Sequence, residues 1–554
     1  MQADAQTTAS FPAPANQPFR LRWALATAFA GGLALAAAFA PVGVWPLAAA
    51  GPALLAIAIS GRSLRASFCL GLLFGAAFFF PLLAWVINLA WYAWVALAVA
   101  STVIFAVLAV GQRLLLGLPG WPVAVAGWWV AAEALRDRWP WGGFPWGRLA
   151  MSQAGAPTQG WAAVGGTPLL TFVVALVGGT LAWLVLTLLP MLSARVARAE
   201  QAKPAEQAKP AGSRRTAVLA AAAFAGAAGL AVIAAALPLD PVPHSTPTAE
   251  VAAIQGNVPR ARSIAAQLNA IDYTVTQNHV DATDKLARQV AAGTRPAPDL
   301  VIWPENSTDI DPTKDPSTEA QIAGAAAAIG RPILVGAVLQ DPQRNAGLLW
   351  LPGKGPTQTY VKRNLVPFGE VIPFRSLISK ITSLTSLQPV DFTPGHVNHV
   401  FNVGAIRLGD VICYEVGFDN LAHSDVADGA NLLAMQTNDA TFERDGQTGE
   451  TGQQLDMARI RAVEHDRAVV VASTTGYSAI VASDGRLITS SGTWQQAILQ
   501  ARVPLITYTT LADRAGPWPE YVIVALTLIA AGLAVALRLR ARSANRPDAI
   551  TQGR

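Results

Sequence analysis

The chain has 554 residues, of which 52% are hydrophobic and only 14% charged, against the roughly 25% charged residues of an ordinary soluble domain. That balance excludes a simple soluble globule and makes a membrane protein the first expectation. The formal charge of +5 does not point to nucleic acid, because the Lys and Arg residues gather in short clusters beside apolar spans and form no continuous basic face; membrane orientation accounts for that clustering.

Residues 1–21, rich in Ala, Gln and Pro, read as a disordered cytoplasmic tail. Apolar spans follow at 22–40, 43–60, 66–83, 89–111, 121–136, 165–190 and 216–238, and an eighth helix is expected at 518–538, ahead of a second cytoplasmic tail at 539–554. Each is near the roughly 20 residues needed to cross the hydrocarbon core. The first span has a basic lead, Arg20 and Arg22, and ends in Ala38-Phe39-Ala40, like a signal peptide, but the six spans that follow make it an anchor. If eight helices are threaded in order, Arg62, Arg65, Arg113, the basic 195–215 linker, and Arg538, Arg540 and Arg542 all fall on one side. That side is the cytoplasm, which places residues 240–515 outside.

Three features of this region stand apart. The 136–148 connection carries Arg136, Arg138 and Arg148 on the outer side, and its Trp139, Trp141 and Trp146 suggest a segment lying in the interface. Glu133 and Arg136 can form a buried ion pair or meet a lipid headgroup, the structural role being the plainer. The tandem repeat AEQAKPAEQAKPA at 199–211 reads as a flexible linker.

Residues 245–512 carry the charge and Pro/Gly punctuation of a globular domain. Strands are expected at 249–255, 299–303, 332–339, 406–413, 430–436, 468–474 and 478–483, with helices at 261–292, 318–329 and 450–466. This alternation is the pattern of a layered α/β fold. The two cysteines, Cys69 in an apolar span and Cys413 in the globular part, cannot pair. Cys413 is either a reactive free thiol or an inert core residue.

Three segments can carry chemistry. Asp299-Leu300-Val301-Ile302-Trp303-Pro304-Glu305 is an apolar strand stopped by proline, with a carboxylate just beyond it that burial could turn into a general base. Tyr360-Val361-Lys362-Arg363-Asn364-Leu365-Val366-Pro367-Phe368-Gly369-Glu370 offers a cation and a second carboxylate. Gly409-Asp410-Val411-Ile412-Cys413-Tyr414-Glu415 ends a strand in a thiol followed by an acid. Taken singly, Glu305 reads as a loop or cap residue, Lys362 as a surface lysine and Cys413 as core filler. Together, a cation near the thiol and a carboxylate to take its proton would make Cys413 a nucleophile.

The order Trp-Pro-Glu, Lys with Pro-Phe-Gly-Glu, then Cys-Tyr-Glu resembles the nitrilase or carbon–nitrogen hydrolase superfamily, and with the surrounding apolar spans the chain resembles the apolipoprotein N-acyltransferase family. The resemblance runs from about residue 22 to 537 and takes in Ile254-Gln255-Gly256-Asn257-Val258-Pro259, Thr437-Asn438-Asp439 and Met457-Ala458-Arg459-Ile460-Arg461-Ala462-Val463-Glu464. It implies seven membrane helices, an extracytoplasmic αββα sandwich and an eighth helix, in a bacterial inner membrane. It further implies Glu305 as base, Lys362 as oxyanion stabiliser and Cys413 as nucleophile, with Glu370, Tyr414, Glu415 and Asn345 supporting. The implied reaction moves an acyl chain from a glycerophospholipid, through a Cys413 thioester, to the α-amine of a diacylglyceryl-modified apolipoprotein, with no metal or diffusible cofactor. A membrane-anchored amidase that passes the acyl group to water is the alternative. The sequence departs from the family at Ala440-Thr441-Phe442-Glu443, where most relatives have Ala-Trp-Phe-Gly, and at Arg262-Ser263-Ile264, where a tryptophan is common.

Overall fold

A computed structural model describes residues 20–200, 214–233, 245–259, 273–308, 310–381, 389–443 and 446–544. Most of both expected tails, the linker repeat and Arg262-Ser263-Ile264 lie outside the described residues.

Helices occupy every expected apolar span: α1 Leu21–Ala37, α2 Leu47–Ile59, α3 Leu64–Leu82, α4 Trp91–Leu115, α5 Trp121–Arg136, α6 Trp161–Glu200 and α7 Arg214–Ile233, with a last long helix at Trp518–Ala544. Five of these, α3, α4, α6, α7 and the last, are long and apolar enough to cross a membrane. The other three are shorter, at 17, 13 and 16 residues. Small residues let α3 and α4 approach closely, as helices do in lipid: a Cβ on Gly71 would lie 2.6 Å from the Ala109 side chain. Backbone angles at Gly165 and Gly166 interrupt α6, at the residue where its apolar span was expected to begin.

The globular part contains β1 Thr248–Gln255, α8 Tyr273–Ala291, β2 Leu300–Ile302, α9 Pro316–Ile329, β3 Ile333–Leu339, β4 Arg344–Leu351, β5 Gly355–Val361 and α10 Arg375–Ile381. It continues through β6 Val400–Val403, β7 Ile406–Ile412, α11 Asp419–Ala427, β8 Leu432–Thr437, α12 Gly449–His465, β9 Val469–Ser473, β10 Ala479–Val481, β11 Leu487–Ser490, β12 Ala497–Pro504 and α13 Leu511–Ala515. The last long helix is α14. One sheet has the order β12-β1-β2-β3-β4-β5, the other β11-β10-β9-β8-β7-β6.

Successive side chains of a strand point to opposite faces, and that alternation builds four layers. Val251 and Ala253 of β1 join Leu300, Leu334 and Leu349 against Leu408, Leu432, Ala434 and Val470 of the other sheet. Their neighbours Ala252 and Ile254 point the other way, onto Leu286 of α8 and Ile322 and Ala326 of α9. On the second sheet, Val411, Leu433 and Val471 face Leu421 of α11 and Met457 and Ile460 of α12, in one apolar core continuous with the membrane helices. The αββα arrangement is therefore observed, and its α11/α12 layer is the one turned toward the helical bundle.

Five strands went unforeseen: β4, β5, β6, β11 and β12. The strand expected at 406–413 stops at Ile412, and Cys413 opens a 3-10 turn, Cys413–Gly417.

Candidate active site

Pro304 cannot extend the ladder of β2, so the chain turns there and carries Glu305 into the interior, where it is 5% exposed. On the neighbouring strands, the register pairs Ala346 of β4 with Val361 of β5. Asn345 and Lys362, one residue further along each strand, therefore meet across the ladder, and the Lys362 amide donates to the Asn345 carbonyl at 2.9 Å.

These residues close a buried ring. Lys362 Nζ donates to Glu305 Oε1 at 2.9 Å and to Glu370 Oε1 at 3.0 Å. Asn345 Nδ2 donates to the same two oxygens at 2.6 and 2.9 Å. The Asn438 amide, from the end of β8, donates to Glu305 Oε2 at 2.9 Å, and the Val366 amide to Glu370 Oε2 at 2.8 Å. Both carboxylates are thereby held on one ammonium. Burial lowers the Lys362 ammonium, but the Glu305 and Glu370 carboxylates beside it outweigh that and hold it well above its ordinary value, so it stays charged. Burial pushes the Glu305 carboxyl up, with Lys362 opposing and Glu370 reinforcing.

Cys413 is 6% exposed and has a φ of +52°, a left-handed conformation that costs a non-glycine residue energy and recurs at functional sites. Burial and then Glu305 push its thiol well above the ordinary range, while Lys362 and the Thr437 hydroxyl pull it down. The resting sulfur is therefore a thiol inside the combined field of Glu305 and Lys362, and a base must take its proton before it attacks. Gln454 of α12 places Nε2 3.5 Å from Sγ.

Glu415 secures the turn. Its carboxylate accepts from the Ile412, Arg363 and Asn364 amides at 2.9, 2.7 and 3.0 Å and from the Tyr360 hydroxyl. It thus ties the segment around the thiol to the segment just after Lys362. Tyr414 faces the membrane bundle: its hydroxyl donates to the Gly143 carbonyl at 2.7 Å, and its ring stacks on Trp146 at 5.5 Å.

All seven predicted site residues thus fall into one connected region. Sequence reasoning had assigned no role to Thr437, Asn438 or Gln454; the first two lay in a motif noted only for its resemblance, and Gln454 preceded another by three residues. The 136–148 segment divides: Trp139 and Trp141 are exposed, but Trp146 is buried beneath the nucleophile turn, so it belongs to the core and not to an interfacial belt. Glu133 does not pair with Arg136. It accepts from the Leu149 amide and the Thr171 hydroxyl, both at 2.8 Å, and lies 3.9 Å from Arg148, while Arg136 donates to the Trp146 carbonyl.

A four-layer sandwich with a carboxylate, a lysine and a cysteine at converging strand ends defines a carbon–nitrogen hydrolase-type enzyme, and the carbon–nitrogen hydrolase profile matches residues 250–513. An amidase of the nitrilase superfamily from Nesterenkonia AN1 is similar at a TM-score of 0.35 and 17% identity, over 48% of this chain and 94% of its own. The profile of the apolipoprotein N-acyltransferase N-terminal domain matches residues 31–180. An apolipoprotein N-acyltransferase of Mycolicibacterium smegmatis is 38% identical over 93% of this chain and 84% of its own length. Others, from Vibrio parahaemolyticus and Pseudomonas putida, are 26% and 28% identical over 92% and 90% of the chain and 97% and 95% of their own lengths. The chain belongs to the apolipoprotein N-acyltransferase family.

Proposed function

We propose that the protein N-acylates apolipoproteins at the outer face of a bacterial inner membrane, with Cys413 as nucleophile, Glu305 as general base and Lys362 as oxyanion stabiliser. The observation that carries this reading is the Lys362 ammonium, shared by Glu305 and Glu370 at 2.9 and 3.0 Å, in the field of a thiol held in a left-handed turn. Glu305 takes the Sγ proton and the sulfur attacks an ester carbonyl carbon of a glycerophospholipid. The negative oxygen that forms meets Lys362, which is worth several kcal/mol in a dry site. The C–O bond then breaks, the leaving oxygen recovers the proton from Glu305, and a lysophospholipid departs from a Cys413 thioester. The α-amine of a diacylglyceryl-cysteine attacks that thioester, giving an amide and restoring the thiol. Asn345 and Glu370 hold Lys362, Glu415 fixes the turn, and Tyr414 docks it on the membrane domain.

Eight helices, seven within 22–238 and one at 518–538, anchor a catalytic domain at 245–512. Arginines at the ends of the apolar spans favour the cytoplasm for the termini and the 195–215 linker, and the outside for the catalytic domain. Both substrates bear acyl chains, and drawing one into water would cost about 0.8 kcal/mol per methylene. A site resting on the leaflet avoids that cost, which explains why α11 and α12 face the bundle.

Incubation with labelled phospholipid tests the reading. Wild-type protein should retain a hydroxylamine-sensitive acyl label that Cys413→Ala lacks, and a lipoprotein acceptor should gain the mass of one acyl chain. Release of free fatty acid with no change in acceptor mass would reject transfer in favour of hydrolysis.

A further inference from the structure

A second group of carboxyl residues lies on the other side of Cys413. Gln454 Nε2, 3.5 Å from the sulfur, also donates to Glu450 Oε1, and its Oε1 accepts from Thr437 at 2.8 Å. Glu450 is 2% and Glu443 1% exposed. Asp439 accepts from Ser473 at 2.5 Å and from Thr451 at 3.2 Å, and its backbone carbonyl accepts from the Glu443 amide at 3.1 Å. Both carboxyl oxygens of Glu443 are buried without a hydrogen-bond partner, while Glu450 shares a carboxyl–carboxylate hydrogen bond with Asp439. Glu443 falls where the family pattern has glycine, in the segment that departs from it.

The two carboxyl systems around the thiol differ in one respect. Glu305 and Glu370 have Lys362 between them, whereas no described Lys, Arg or His pairs with Asp439, Glu443 or Glu450. A buried acidic group without a partner is costly, so the arrangement suits an incoming cation. The acyl-transfer reaction proposed above brings one such cation to this thiol, the primary ammonium of the acceptor.

The segment rests on the membrane domain. Trp85, in the 3-10 turn Ala84–Asn88, meets Phe442 edge-on at 5.1 Å, and its Nε1 donates to Gln453 at 3.3 Å. Asn88 donates to the Phe442 carbonyl at 2.7 Å, and Gln453 to the Leu82 carbonyl at 3.1 Å. The acidic residues are thus held where the helical bundle meets the catalytic domain, the place an N-terminus carried on lipid would arrive.

We infer that Glu443 and Glu450 form the site for the acceptor's primary ammonium and take its proton when it attacks the acyl-enzyme. This inference rests on the acyl-transfer reading above. Burial, reinforced by Asp439, pushes the Glu443 carboxyl up to about 9 and the Glu450 carboxyl well above its ordinary range, so both hold protons at rest; as the cation enters, one of them releases its proton to bulk water and becomes the carboxylate that meets it. The ammonium then gives a proton to the carboxylate, and the free amine nitrogen bonds to the thioester carbon. The C–S bond breaks, and the second nitrogen proton passes to the departing sulfur. The primary ammonium of an ethanolamine headgroup has the same chemistry, so the test must separate the two sources.

The test uses full-length protein acylated from vesicles and measures loss of the thioester. One acceptor is a synthetic peptide beginning in diacylglyceryl-cysteine; the other is hydroxylamine, uncharged at neutral pH. For Glu443→Gln, release by the peptide should slow roughly a hundredfold, the scale of a positioned proton acceptor, and far more than release by hydroxylamine. Glu443→Asp should recover part of the loss, which a merely structural role would not allow. Equal slowing with both nucleophiles would overturn the inference. So would a variant whose acylation slows with phosphatidylethanolamine vesicles but not with phosphatidylglycerol vesicles, because the cation would then be the donor's. Failure of wild-type protein to form any thioester would instead count against the acyl-transfer reading.

Discussion

Replacing Asp419 with alanine should damage both stability and the nucleophile turn. Asp419 opens α11 and accepts from Arg148 at 2.8 and 2.9 Å, from Arg461 at 2.7 Å and from the Thr167 hydroxyl at 2.8 Å. Arg148 comes from the membrane domain and Arg461 from α12, and their side chains are 3% and 1% exposed. Without Asp419 the two guanidiniums would share a buried region with less charge compensation. Breaking a buried ion pair costs about 3–5 kcal/mol, and the low end applies because the Asp419 side chain keeps 29% exposure. A loss of about 3 kcal/mol corresponds to a melting shift of roughly 6–12 °C at the 2–4 °C per kcal/mol of a domain of this size. Arg461 also donates to the Val416 and Gly417 carbonyls at 2.9 and 3.1 Å, so acylation of Cys413 should slow as well.

The pH dependence has a defined sign. Burial raises the Asp419 carboxyl, but Arg148 and Arg461 outweigh it and hold it far below the ordinary range. A depressed carboxyl contributes stability above its unfolded value, about 4, and loses it as the pH falls through the folded value. The gap between wild type and Asp419→Ala should therefore hold from pH 7 to about 4.5 and close only below. Thermal unfolding in detergent, followed by tryptophan fluorescence, measures the gap. A variant melting within about 2 °C of wild type at pH 7, less than 1 kcal/mol, and acylating at the same rate would refute the account.

Lys362→Met should reduce acyl-enzyme formation by about 10²–10³-fold, the scale of one lost oxyanion donor, and lower the melting temperature because Glu305 and Glu370 lose their shared cation; single-turnover labelling and a melting curve check both. Tyr414→Phe removes the bond to the Gly143 carbonyl but keeps the ring on Trp146, so a loss of about 1–3 kcal/mol with acylation still measurable is expected, and complete inactivity would contradict this docking role. Asp456, on α12, is pushed up to about 6 by burial despite Arg459. A raised carboxyl costs stability as the pH climbs past its folded value, so Asp456→Asn should stabilise the protein at pH 7.5, by at most about 3 kcal/mol, and not at pH 4; equal melting shifts at the two pH values would show that charge is not the cause.

The apolar spans were legible because membrane crossing is a local demand on about 20 consecutive residues. The central strands β1, β3, β7, β8 and β9 were legible for a related reason, being buried on both faces and written as short apolar runs. The edge strands were not. β5, Gly-Pro-Thr-Gln-Thr-Tyr-Val, leaves most of its residues partly or fully exposed, and β11 alternates weakly, so neither carries an apolar signal. Arg148, Asp419 and Arg461 drew no structural role because isolated charges in a sequence read as surface; only the assembled interface buries the two arginines.

The sequence by itself determined which residues could react, where proline would stop a strand ahead of Glu305, and that a lipid-facing body and a layered domain share one chain. These depend on residue chemistry and on patterns a few residues long. The tertiary structure decided how the chemistry is wired: Glu305 meets Lys362 across 57 residues of chain and Asn438 across 133, through a strand register and a sheet order that no short window specifies. It also decided which charges go unpaired. Lys362 neutralises one carboxylate pair while no cation among the described residues pairs with Glu443 or Glu450, because partnership among buried groups depends on three-dimensional proximity and not on sequence distance.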